Sequence, residues 1–171
     1  MNKHIFLDKL TVVVGSMIAG KKKFFANSLQ SPSFEDQVTA VRLECPPIAG
    51  KVTYEVPAKN LVGDLDPAFQ VAQWKGIDCP TIIYHHGNNE HPFDFRKSAK
   101  NTFYHILINT NDTIEANLIV VRAPFHNTSL KQYQNRMVDL SNFTAMMATS
   151  VKMNEEIIKE IRKVTTKPII T

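Results

Sequence analysis

Cysteine is scarce in this chain: two in 171 residues, Cys45 and Cys79, each followed by a proline. Nothing in their spacing matches a zinc or iron–sulfur ligand pattern, so a disulfide-dense scaffold and a cysteine-built metal centre are both excluded. The expectation is a reduced, cytoplasmic protein. Long hydrophobic runs are missing as well. The most apolar stretch, residues 10–20, is too short to cross a bilayer, and its lysines follow it instead of preceding it as in a secretory leader. No membrane partner is expected. Charge of one sign is not in large excess either: 20 Lys and Arg against 16 Asp and Glu leave +4, and Lys21-Lys22-Lys23 is the one dense basic cluster. A solvated helix end accounts for it, and nucleic acid is not an expected partner.

What is present is enough for one domain with its own core. The chain is organised around residues 80–92, Pro-Thr-Ile-Ile-Tyr-His-His-Gly-Asn-Asn-Glu-His-Pro. A proline opens this run, four β-favouring residues follow, and Gly87 breaks it, which predicts one buried strand ending in a polar loop. Such loops, at the carboxyl ends of strands in α/β sheets, are where ligands collect.

Before that run, Phe6, Leu10, Val13, Met17 and Phe24 recur at helical spacing, which predicts an amphipathic helix over residues 1–30 packed on the body. Residues 31–35 read as a linker. Alternation through 38–43 and 51–56, on either side of Pro46-Pro47-Ile48-Ala49-Gly50, predicts an antiparallel hairpin. The scattered Pro57, Gly63, Pro67 and Gly76 make residues 57–79 read as loops. Asp94 is placed as the cap of a helix running to about Leu107. Leu118 to Val121 read as a second buried strand. From Ser129 a long helix is expected, with an inward stripe of Met137, Leu140, Thr144, Met147, Val151, Asn154, Ile158 and Ile161, and Ile169-Ile170 open a further strand.

The fold class expected from this is α/β: an antiparallel hairpin, then parallel strands, with flanking helices. With Tyr84-His85-His86-Gly87-Asn88-Asn89 after the third strand, Val121-Arg122-Ala123-Pro124 after the fourth, and a long helix leading to Lys167-Pro168-Ile169-Ile170, residues 36–171 resemble the amino-terminal half of the α/β-hydrolase superfamily of serine esterases, lipases and acyl-peptidases. The resemblance implies a serine nucleophile attacking an acyl carbonyl, with the developing oxyanion held by two backbone N–H groups, one of them from the loop after the third strand. Matching His86-Gly87 to the family's His-Gly assigns that N–H to Asn88, with Asn89 as the alternative, and makes His86 and Gly87 supports of the loop.

No triad residue follows from the match. Glycine is sparse, and the six at 15, 20, 50, 63, 76 and 87 never bracket a serine as Gly-x-Ser-x-Gly. In the family the nucleophile follows the strand that Ile169 and Ile170 begin, so the 171 residues reach only its threshold. Ser129, Ser141 and Ser150 fall at a helix start or in a helix body. The chain is therefore expected to be part of a serine hydrolase that is inactive alone, taking a small ester or acyl substrate when completed, without metal or cofactor. A homo-oligomer or a complementary fragment would cover its open sheet edge. The other reading is a noncatalytic interaction module with a truncated hydrolase fold.

Two further motifs resemble sites without completing them. Gly15-Ser16-Met17-Ile18-Ala19-Gly20-Lys21-Lys22 nearly spells a phosphate-binding loop after Val12-Val13-Val14, but lysine stands where a hydroxyl should hold magnesium. Nucleotide binding there is the weakest alternative. His85, His86 and His91 with Glu90 and Asp94 form a dense polar group, yet neighbours on a strand point to opposite faces and no metal-ligand spacing results. His86 is expected to hydrogen-bond within the loop, and His91 to face solvent.

Overall fold

The computed structural model describes residues 3–19, 30–110 and 112–171. In chain order the elements are α1 (Lys3–Ala19), α2 (Phe34–Ala40), β1 (Thr53–Glu55), β2 (Ala58–Asn60), β3 (Gly63–Leu65), β4 (Ala68–Gln73), β5 (Thr81–His85), a π-helical turn (Tyr104–Ile108), β6 (Asn117–Arg122), α3 (Leu130–Met137), α4 (Leu140–Arg162) and β7 (Ile169–Ile170). The fold is mixed α/β.

The two apolar runs marked as buried strands lie side by side. β5 and β6 pair in parallel, Thr81 opposite Asn117 and His85 opposite Val121, and every residue of β6 is buried. Their side chains alternate between two cores, as a pleated strand covered on both faces requires. Ile83, Ile119 and Val121 join Phe69 and Val71 of β4 against Met153, Ile157 and Ile161 of α4. Leu118 and Val120 turn the other way, towards Phe103, and Ile82, Tyr84, Phe93, Phe95 and Leu107 pack there. Each such fully buried aliphatic side chain contributes about 1.5–3 kcal/mol.

The five-stranded sheet runs β1-β4-β6-β5-β7. β1 and β4 are antiparallel, β4 is antiparallel to β6, and β6, β5 and β7 are parallel. Thr81 lies opposite Ile169 and Ile82 opposite Ile170, so β7 points to the same rim as the loop that follows His85. A small ribbon, β2 with β3, sits beside the sheet. Its Ala58 and Leu65 share a third core with Ala123, Phe125, Tyr133, Ala145 and Met146.

Several sequence expectations are corrected. Residues 34–40 are helix, not the first arm of a hairpin. Ser33 caps the helix: its hydroxyl accepts from Asp36 N–H, and the Asp36 carboxylate accepts from Ser33 N–H, a capping box that overrides the alternating pattern. The supposed linker thus contains the helix start. Only an isolated bridge remains of the strand, between Arg42 and Lys59. Residues 57–79 hold three strands, because Pro67 and Gly76 stand outside β4 instead of interrupting it. The predicted helix from Asp94 to Leu107 is reduced to residues 102–103 and the π-helical turn. Asp94 instead binds Arg96, and buried Asn101 does the capping by accepting from Tyr104 N–H. The long helix is broken at Val138 and Asp139 into α3 and α4. Its inward face is Ala145, Met146, Thr149, Ser150, Met153, Ile157 and Ile161, so the true stripe is rotated from the expected one, and Met147 and Val151 are exposed.

α1 is helical, but all its described side chains from Phe6 to Met17 are exposed, so it does not pack on the body as an amphipathic helix would. It also removes the strand that a phosphate loop needs, since Val12 to Gly15 are helical; Gly20, Lys21, Lys22, Lys23 and Phe24 lie outside the described residues. No described helix is long and apolar enough to cross a membrane.

Replacing Ser33 by alanine is expected to lower stability by about 1 kcal/mol, the usual cost of losing an N-cap. Urea unfolding measures this; a change within error would show that the capping box does not hold α2.

Candidate functional site

The connections leaving β5 and β6 go to opposite faces of the sheet: residues 93–108 cover one, α4 the other. A crevice opens at the carboxyl ends of two parallel strands wherever their connections diverge in this way. Residues 85–89, Ala123 and His126 line it. So do α3 and the start of α4, and together they enclose a cavity of about 780 Å³.

The turn itself is Gly87-Asn88-Asn89-Glu90, closed by a 3.4 Å bond from Glu90 N–H to Gly87 O. Asn89 has φ of 61°, the left-handed region that asparagine tolerates better than most side chains. Gly87 does not have such a backbone angle. What Gly87 supplies is room: a Cβ there would stand 3.1 Å from Glu90 Oε1. That carboxylate is not free to move away, because it accepts from Thr102 N–H at 3.2 Å and from the Thr102 hydroxyl at 2.6 Å.

His86 is buried and braces the turn from below. Its Nδ1 donates to Gly87 O at 2.7 Å, and its Nε2 accepts from Ala123 N–H at 3.1 Å. The two backbone partners require a neutral ring with the proton on Nδ1. Burial, reinforced by the nearby His126, pushes the His86 pKa down to about 3. His85 and His86 are stacked, with ring centroids 5.2 Å apart. The expectation that they face opposite sides fails because β5 ends at His85 and the pleat does not continue. His86 Nε2 is occupied and so offers nothing to a metal; among the described residues no three His, Cys, Asp or Glu groups converge on one point. His91 is exposed.

Three residues that sequence reasoning passed over complete the site. The Tyr133 hydroxyl donates to Asn88 Oδ1 at 2.9 Å, which ties α3 to the turn. Its ring lies 4.5 Å from that of His126, and His126 lies 4.2 Å edge-on from His86. His126 Nδ1 donates to Pro124 O, while its buried Nε2 has no partner among the described residues. Phe125, with φ of 70°, is held in that strained form by a bond from its N–H to Asp66 Oδ1 at 3.1 Å. The position of Tyr133, four residues after the Ser129 cap and four before Met137, was the available signal.

Asn88 and Asn89 line the crevice. The backbone N–H groups of Asn88 and Asn89 have no hydrogen-bond partner among the described residues, while the turn carrying them is held by His86, Tyr133 and Glu90. Ser129 caps α3, the Ser141 hydroxyl in the first turn of α4 donates to Ser31 Oγ, and Ser150 donates to Met146 O within α4, so none of these three is set up as a nucleophile. Comparison with known proteins found no matching family model, no matching curated protein and no matching solved structure.

Gly87→Ala should cost about 1–2 kcal/mol by displacing the Glu90 carboxylate from Thr102. In a Glu90→Ala background the same change should cost much less, and equal costs in the two backgrounds would refute the steric account. A pH dependence follows from His86. Its folded pKa, about 3, lies below the unfolded value of about 6.5. The unfolded chain therefore binds the extra proton, and stability is full above the unfolded pKa. It declines as pH falls towards the folded one, by about 1.4 kcal/mol per pH unit from this group. An NMR titration showing the His86 ring protonating near its ordinary value in the folded chain would contradict this.

Proposed function

We propose that this chain supplies the oxyanion-binding side of a serine acyl hydrolase of the α/β-hydrolase type. The observation that carries the reading is the pair of N–H groups at Asn88 and Asn89, unbonded among the described residues and held at the carboxyl rim of β5 beside a cavity of about 780 Å³. A tetrahedral oxyanion requires two such donors, fixed before the reaction; this turn offers one, from Asn88 or Asn89, and the other is the N–H that follows the nucleophile. The loop after β5, the end of β6 and the rim of β7 correspond to the places where the resemblance puts the oxyanion loop, the fourth strand and the approach to the nucleophile.

In this reading the substrate's acyl carbonyl sits over the Asn88-Asn89 turn and is attacked by a serine lying just beyond the carboxyl end of β7. Such a serine would come from residues following Thr171 or from a complementary chain, since no Gly-x-Ser-x-Gly occurs among the 171 residues. Charge accumulates on the carbonyl oxygen in the transition state and is met by the N–H of Asn88, or of Asn89, together with the N–H that follows the nucleophile. His86 takes no part in proton transfer: both its nitrogens are bound to backbone, and its role is to hold the turn.

A noncatalytic interaction module is the second reading. It is favoured by the apolar surface of α1, where Phe6, Leu10, Val13 and Met17 are exposed, and by Ile170, 56% exposed on the edge strand β7. In both readings a second copy or a complementary fragment is the natural partner for that edge.

A fluorophosphonate probe separates them. The 171-residue chain should not be labelled, whereas the chain extended through the codons that follow Thr171, or mixed with its complementary fragment, should be labelled on a serine after β7. Labelling of the 171 residues alone, or no labelling of any extended or complemented form, would overturn the hydrolase reading.

A further inference from the structure

The cavity beside the turn is lopsided in its chemistry. One wall is Met137 and Val138 at the end of α3 with Phe143, Met146 and Met147 of α4; the other is the turn, Ala123 and His126. Among the described residues, no Asp, Glu, Lys or Arg lines it. The histidine at its floor, His86, is neutral, and the remaining polar groups are amides, a phenol and two further imidazoles. A ligand carrying a carboxylate, phosphate or ammonium at its inner end would be desolvated there with no countercharge.

We infer that this cavity is the acyl subsite and that it takes a linear aliphatic chain, carried by an uncharged carbonyl compound whose oxygen lies on the N–H of Asn88 or Asn89. The inference rests on the hydrolase reading for the carbonyl, but on the cavity wall for the chain. Apolar surface with the polar turn Gly87-Asn88-Asn89 at one end matches a molecule with one polar end and an apolar tail. The size lies inside the range of about 300–1,000 Å³ usual for small-molecule sites.

The residue types on the wall narrow the shape of the occupant. Three of the chain's six methionines, Met137, Met146 and Met147, stand on it. Methionine is unbranched and rotates about three bonds, so such a wall adapts to chain length instead of selecting one rigid shape. Phe143 and Met147, one turn apart on α4, are 44% and 38% exposed, and a bound aliphatic chain would cover them. A branched or aromatic acyl group would also find apolar surface here, but gains nothing from a wall able to close around a flexible chain.

The test uses 2-decanone, an uncharged ketone that cannot be hydrolysed, added to the 171-residue chain carrying ¹³C-methyl methionine and ¹⁵N backbone. The methyl signals of Met137, Met146 and Met147 should shift in a saturable way, while fully buried Met153 in the core should not. Acetone and the dicarboxylate sebacate should leave the methionines unshifted. Met147→Glu, at a half-exposed position that does not threaten the fold, should weaken 2-decanone binding about tenfold or more by placing a charge on the wall. Absence of methionine shifts, equal response to sebacate, or full affinity in Met147→Glu would overturn the inference. The amides of Asn88 and Asn89 report separately: methionine shifts without amide shifts keep the chain subsite and remove the oxyanion reading, and amide shifts without methionine shifts do the reverse.

Discussion

Burial of β6 on both faces is the constraint from which the rest of the architecture follows. With no residue of that strand reaching solvent, its main-chain groups must be satisfied by β4 and β5, and both faces must be roofed. Residues 93–108 and α4 are the two roofs. Because they lie on opposite sides, the chain must leave the ends of β5 and β6 in diverging directions. The crevice is the space left by that divergence, and a site there is a consequence of covering the sheet.

Within the crevice, one neutral imidazole does what water would otherwise have to do. His86 bridges the backbone of the β5 loop and the backbone just after β6, donating through one nitrogen and accepting through the other. An amide side chain offers the same two functions but not the flat ring that lies against His126. Tyr133 on Asn88 and Glu90 on Thr102 restrain the turn from two further directions. The backbone of Asn88 and Asn89 is therefore braced from three directions.

The parts of this protein legible in its sequence are those where one local signal agrees with the tertiary outcome. Ile82-Ile83 and Leu118 to Val121 are continuous apolar runs between breakers, and both are central strands. Residues 38–43 misled because the helix that the Ser33 and Asp36 capping box starts runs on to Ala40, into the alternating stretch, and leaves the alternation without a partner strand. β2 to β4 were hidden because Pro57, Pro67 and Gly76 lie between or after them and Gly63 opens β3. The stripe on α4 was misread because alanine, serine and threonine carry its inward face, and a search for large apolar residues passes over them. The turn at Gly87 was visible as a break in pattern, but Tyr133, Thr102 and His126 reach it from other elements, and sequence proximity carries no such information.

Those small residues on α4 have a mechanical side. Ala145, Ala148, Thr149 and Ser150 are buried in close succession, immediately beyond Phe143 and Met146 on the same helix. Side chains of that size let a helix axis lie close to what it covers, so the seating depth of α4 and the width of the neighbouring cavity are a single geometric quantity. A bulkier residue in that seam would lift the helix like a shim beneath a hinge plate and widen the opening. A residue far from the turn thereby sets the calibre of the space above it.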